Sequence, residues 1–395
     1  MDVNEILLGL LGRALFHAEF AFDTAAAPWD ALFAESRAQT VELLVLDALT
    51  DTERAAMPPD LAAAWQRIAL QRLAHNEQLR YTQTQILAAL AAAHIPCAVL
   101  KGSSCAQNYP DPALRCAGDI DLLVGKEALT SARQVLESLG YTASEEPHPV
   151  HLHMRKGAQA VELHHEPTGI LRGEAGEPLR CFFALSEARA ELRDGLPVLS
   201  AKEQAITLLL HKLEHIVSSG LGLRQLCDWA VFVRARLTAE EWQALEPLLR
   251  SFGLLHFTKV ITRICVDALA LPPSAAPWCL DTDSALARRL LEDLLRTGNF
   301  GRKENRYGQR LFTDAASPSR LVSFVKVGTR ACRDHWPLCG RYPILLPAAP
   351  AVLLLRYRRQ RKEGKRPAFR PQDVYKTAKD RRALYAELKP FLAES

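Results

Sequence analysis

A predominantly helical α+β fold, with a small mixed β-sheet set between two helical regions, is what the sequence predicts. Three observations carry the prediction. Alanine and leucine dominate the apolar residues while aromatics make up only 7%, a composition that favours helix. Apolar residues recur at helical spacing over residues 1–93 and again over 201–395. Over 94–200 the pattern changes to short strand-like runs separated by helical segments and turns, as a small sheet with helices packed on it requires.

The N-terminal region opens with Ile6, Leu7, Leu10, Leu11 and Leu15 on one helical face. A second helical run spans Trp29 to Leu49, and a long one comes after the Pro58-Pro59 break, from Leu61 to Ala93. These helices are expected to pack against the central region. There, Ile95–Leu100 and Asp119–Val124 read as strands, and Lys126–Leu139 as an amphipathic helix ended by Gly140. Tyr141–Ser144, Val150–Met154 and Ala160–His164 read as further strands, the last two joined by a Lys156-Gly157 turn, and Leu196–Leu199 as another. Ser200 with Glu203 forms a capping box for the next helix. Helical segments continue at 221–236, 238–249, 254–269, 284–296, 317–333 and 349–361, with a Gly298-Asn299-Phe300-Gly301 turn among them.

At 395 residues, with 48% apolar content, the chain can build a sizeable core. A net charge of +4 is too small to argue for nucleic acid by itself. Nine scattered cysteines without a Cys-x-x-Cys pair read as reduced, mostly buried thiols of a cytoplasmic protein rather than as a zinc ribbon. The N-terminus lacks the basic start of a signal peptide. The longest apolar run, Tyr342–Leu355, is broken by Pro343, Pro347 and Pro350, so no transmembrane segment is expected. The basic stretch from Arg356 to Arg382 reads as a solvated helix face or a frayed end, with an acidic partner, a nucleic-acid backbone or a membrane surface as the functional alternative.

The stretch Val99 to Val124 carries the chemistry. On a strand, Asp119 and Asp121 project from one face while Ile120 turns into the core. Adjacent carboxylates repel unless a positive object lies between them, and a divalent cation is the simplest one. The Gly102-Ser103-Ser104 turn opening a helix offers free backbone N–H groups to phosphate. Lys101 could pair with a triphosphate, and Arg115 suits either a bidentate phosphate contact or an ion pair with Asp111. Metal-binding carboxylates beside a phosphate cradle suit phosphoryl or nucleotidyl transfer.

In this order (Leu100-Lys101-Gly102-Ser103, Tyr109-Pro110-Asp111, Arg115, then Asp119-Ile120-Asp121-Leu122-Leu123-Val124) the residues resemble the DNA-polymerase-beta-like nucleotidyltransferases. More narrowly, the chain resembles their bacterial uncharacterised branch, most clearly over residues 95–235. The resemblance implies Asp119 and Asp121 as ligands of Mg2+ or Mn2+. Glu162, in the string Val161-Glu162-Leu163-His164, would be a third acid from a later strand, binding metal or acting as base. It also implies an NTP substrate such as ATP, held at Gly102 and Ser103. His211 and His215, with Arg224 and Asp228, resemble a recurrent arrangement of this branch, lining the cleft or forming a network between helices. The Gly298–Gly301 turn is a further point of likeness.

His151, His153, His164 and His165 cluster in sequence, with His151 and His153 on one strand face, but their spacing does not by itself require zinc. His164 shares a face with Glu162 and so belongs near the carboxylates. The expected activity is transfer of an NMP, AMP from ATP foremost, to a protein, peptide or small-molecule acceptor. The alternatives are a non-catalytic nucleotide-binding scaffold and a kinase using the same metal and phosphate site.

Overall fold

A computed structural model gives the fold; it describes residues 1–144, 148, 150–168, 176–218, 220–298, 358–359, 381 and 383–388. The helices expected over 317–333 and 349–361, most of the basic stretch, and Asn299 to Gly301 lie outside the described residues.

The chain begins with α1 (Val3–Phe16), whose Asp2 cap and Glu5 form a reciprocal capping box. Then come α2 (Trp29–Gln39), α3 (Glu42–Ala48), α4 (Asp51–Ala55) and the 34-residue α5 (Pro59–Ala92). The apolar face of α1 does not pack only on its neighbours. Leu7 and Leu10 belong to the same buried core as Trp229, Phe257 and Ile261. These come from α10 (Leu223–Arg236) and α12 (Leu255–Leu269), so helices more than two hundred residues apart share one interior. Gly12 makes that approach close: a Cβ there would stand 3.2 Å from the carbonyl oxygen of Leu269.

Among the described residues the sheet has seven strands: β1 (Ala98–Val99), β2 (Ile120–Leu123), β3 (Thr142–Ala143), β4 (His151–Lys156), β5 (Gln159–His164), β6 (Glu191–Arg193) and β7 (Leu196–Val198). Their order is β3-β4-β5-β2-β1-β7-β6. At the centre β2 runs parallel to β5 and antiparallel to β1. The one-turn α6 (Ser103–Ala106) comes after β1, and α7 (Gly125–Ser138) after β2. One face of the sheet is apolar: Ile120, Leu122, Val161, Leu163 and Met154 pack with Leu79, Ile86 and Leu90 of α5 and with Ala132 and Leu136 of α7. The other face looks toward α9 (Ala201–Ser218) and α10. Helices α8 (Gly176–Phe183), α11 (Ala239–Ser251) and α13 (Ser284–Thr297) are the other helices described up to residue 298, and residues 383–387 are helical again.

Two strands depart from expectation. The first is shorter than Ile95–Leu100, because Pro96 has no N–H to give a ladder. Strand β6 was not expected at all; its Leu192 is 80% exposed, so no apolar alternation marks it. The capping box is present, with Glu203 N donating to Ser200 Oγ and Ser200 N to Glu203 Oε2. The seven described cysteines are free thiols, and no described helix is long and apolar enough to cross a membrane.

Candidate active site

Strand register assembles the site. Asp121 lies opposite Glu162 across the parallel β2–β5 pair, and Leu123 opposite His164. Across the antiparallel β4–β5 pair, Glu162 lies opposite His153 and His164 opposite His151. Residues two apart on a strand share a face. Asp121, Glu162, His164, His151 and His153 therefore all stand on the face turned away from α5 and α7. Asp119 sits just before β2, exposed at the strand's mouth.

Asp119, Asp121 and Glu162 each offer a carboxylate oxygen, and the three oxygens lie within 4.8 Å of one another. Lys101 Nζ lies 3.0 Å from Asp121 Oδ1, so an ammonium already occupies the edge of this negative cluster. His164 Nε2 lies 3.1 Å from Asp121 Oδ1 and 3.2 Å from Glu162 Oε2. The charges strain one another. The negative charge of Asp121, helped by the protein packed around the strand's mouth, pushes Asp119 up to about 6. Burial opposes ionisation of Asp121, yet Lys101 and His164 outweigh it and hold that carboxyl well below its usual range. Burial likewise disfavours a charged Lys101, but Asp121, Asp119 and Glu162 together raise it above its ordinary value. A set of oxygens that repel, with a side-chain cation drawn onto them, is chemically suited to hold a divalent ion.

One cavity is lined by Lys101, Gly102, Asp119, Asp121, Glu162 and His164 from the sheet side, with Arg115 beside them. His211, His215, Arg224 and Asp228 line it from α9 and α10. Gly102 adopts φ +66°, which L side chains rarely take, and a Cβ there would meet only the Asp119 carbonyl, 3.6 Å away. Ser103 and Ser104 are not brought to this cavity. Ser103 donates to Gln83 Oε1 (2.7 Å) and lines a neighbouring cavity, while Ser104 is buried with its hydroxyl near the Lys101 carbonyl. The helix they open is a single turn, so its dipole is small.

Arg115 points to neither Asp111 nor open space. Its Nε and Nη2 donate to the two oxygens of Asp228 at 2.7 and 2.8 Å, and Tyr109 donates its hydroxyl to Oδ1 at 2.7 Å. All three are buried, so Arg115 and Asp228 form a network that ties the loop before β2 to α10. His211 and His215 meet through their Nε2 atoms, 2.9 Å apart. Burial drives both rings toward the neutral form, His215 down to about 3.

Among the described residues, three buried polar atoms on the cavity wall have no hydrogen-bond partner: His151 Nδ1, Thr168 Oγ1 and Arg224 Nε. Buried polar groups seldom stay unpaired, so these are places where a ligand would bond. Thr168 was not anticipated, and nothing local marks it; it reaches the wall because the chain turns there after β5. Lys212 was missed too. It is 1% exposed on α9, and burial lowers it to about 8. A lysine embedded in the run Ile206-Thr207-Leu208-Leu209-Leu210 to Leu213 was the available signal.

No curated protein and no solved structure matches the chain. The model of a family described as uncharacterised nucleotidyltransferase matches residues 25–270, more than half of the chain. That span includes every strand of the described residues and the candidate site residues from Lys101 to Asp228. The likeness read from Lys101 to Asp228 is thereby placed on a family: the chain belongs to the uncharacterised nucleotidyltransferases.

Proposed function

We propose that the chain transfers an NMP group from an NTP, ATP being the donor to test first, to an acceptor nucleophile. The reading is that of a DNA-polymerase-beta-like enzyme using Mg2+ or Mn2+. One observation carries it: three carboxylates converge within 4.8 Å on a cleft wall, with the Lys101 ammonium drawn onto them. Asp119, Asp121 and Glu162 would hold the cation. Bound there, it would neutralise charge on the α-phosphate and on the departing pyrophosphate.

In the reaction an acceptor oxygen forms a bond to the α-phosphorus as the bond to the β-phosphate bridge breaks and pyrophosphate leaves. Glu162 is the side chain placed to take the acceptor's proton. Lys101, whose ammonium lies 3.0 Å from Asp121, would be placed to meet phosphate oxygens if the carboxylates held a cation. Arg224, whose Nη1 donates to the Cys116 carbonyl at 3.0 Å while Nε is unpaired, provides a second positive group on the opposite wall. Arg115 holds Asp228 and shapes the floor. The free, mostly buried thiols fit a reducing cytoplasm. The acceptor, a protein, peptide or small molecule, enters from the open side of the cleft.

The test is incubation of the chain with Mg2+ and an NTP labelled at either the α- or the γ-phosphate, with cell lysate as acceptor. Nucleotidyl transfer leaves the α-label on a product and releases pyrophosphate. Transfer of the γ-label with release of ADP would make the chain a kinase instead. Nucleotide binding without transfer of either label would make it a scaffold.

A further inference from the structure

We infer that His151, His164 and Glu162 form a second cation site, one that contains nitrogen and takes a transition ion of the zinc class. It shares Glu162 with the carboxylate set but stands on its own ligands. One atom from each of the three residues can be chosen so that all lie within 4.8 Å of one another. The register of β4 on β5 sets His151 directly across from His164, so the backbone itself brings the two rings together. The ring of His151 is further held by stacking on His148, at 3.7 Å between centroids and 16° between planes.

The two histidines present the right atoms. His164 Nδ1 lies 3.3 Å from the carbonyl oxygen of Glu166. A carbonyl only accepts, so Nδ1 carries a hydrogen; a cation displacing the hydrogen that Nε2 now directs at the two carboxylates would leave Nε2 as the coordinating nitrogen, in the way that ligand histidines are ordinarily oriented. That Nε2 faces Glu162 Oε2 at 3.2 Å. His151 Nδ1 approaches the same oxygen at 3.4 Å but makes no hydrogen bond, although it is buried. An ordinary ion-pair network accounts for His164 between its two carboxylates. It leaves His151 Nδ1 aimed at the same oxygen with no hydrogen bond among the described residues.

Ligand chemistry separates this site from its neighbour. Three carboxylates make an oxygen set that suits magnesium. Two imidazoles and a carboxylate suit zinc, cobalt or another imidazole-binding ion, and compete poorly for magnesium. Two different cations would then sit side by side, joined through Glu162.

Cobalt(II) is the probe. The full chain, stripped of metal by chelation, is titrated with Co2+ in millimolar Mg2+, read by visible d–d absorption and by elemental analysis after desalting. The wild type is expected to retain one equivalent. His151→Ala should weaken binding by at least about 10-fold, the lower end of what even an outer-shell change costs a metal site. Asp119→Asn should leave cobalt binding unchanged. Circular dichroism checks folding, and His151→Asn, which keeps a polar side chain of similar reach on the strand, replaces the alanine variant if that one unfolds. Failure of the wild type to retain cobalt, or wild-type binding by the His151 variants, overturns the site. So does loss of cobalt with Asp119→Asn, which would put the ion among the carboxylates. Absence of NMP transfer alongside His151-dependent cobalt binding would overturn the transferase reading and leave this one standing.

Discussion

The two faces of one sheet are built for opposite purposes. On one, Ile120, Leu122, Val161, Leu163 and Met154 meet α5 and α7 in a dry interior. On the other, one residue further along the same strands, stand Asp121, Glu162, His164 and His151. Charged groups so close are unfavourable in themselves; two carboxylates here hold a third near a pKa of about 6. The apolar face supplies the stability that lets the polar face persist. Each large apolar side chain buried there contributes about 1.5–3 kcal/mol, and alternation along a strand binds the two sets into one element.

If that division of labour is right, changes on the polar face should remove activity and leave the fold, while changes on the apolar face should do the reverse. The largest effect is expected for Asp121→Asn, which takes a charge from the proposed cation site without changing shape. NMP transfer should fall on the order of 10³-fold, as for loss of a key electrostatic group, with circular dichroism of the metal-free chain showing the wild-type fold. Arg115→Ala should instead destabilise the fold by about 3–5 kcal/mol, because it leaves Asp228 charged, buried and unpaired. Chemical denaturation measures it, and a stable but inactive Arg115→Ala would return Arg115 to the phosphate contacts. Leu163→Ala, on the dry face between two site residues, should cost about 2–5 kcal/mol and keep its activity per folded molecule.

The smallest effect concerns pH. Burial holds Lys212 at about 8 in the folded chain, below the roughly 10.4 of an exposed lysine. Below pH 8 both states carry the proton, and the folded state bears the full penalty of a buried charge. Between 8 and about 10.4 the folded chain releases the proton first, so the unfolded state binds more protons and stability rises with pH. Denaturation midpoints across that window should climb for the wild type. For Lys212→Met they should be flatter and start higher.

What could be read from the chain alone was local. Asp119 and Asp121 two apart on a strand, a glycine turn after an apolar run, and the Ser200–Glu203 box each express their meaning within a few residues. What could not be read depended on partners far along the chain. Arg115 meets Asp228 more than a hundred residues later, which no spacing announces. The approach of His151 to His164 comes from strand pairing; a slip of one residue would have turned both rings into the dry face. Ser104 looked like part of a phosphate turn, but the turn is a single helical loop and its second serine faces inward.

The shared interior of α1, α10 and α12 bears on how the chain is made. The leucines of α1 leave the ribosome long before Phe257 and Ile261 exist to cover them. Contacts so remote in sequence close slowly, and an early helix with its greasy side uncovered is open to the wrong neighbours meanwhile. Synthesis of this protein therefore has a vulnerable interval, ending only when α12 has emerged and folded back onto the first helix.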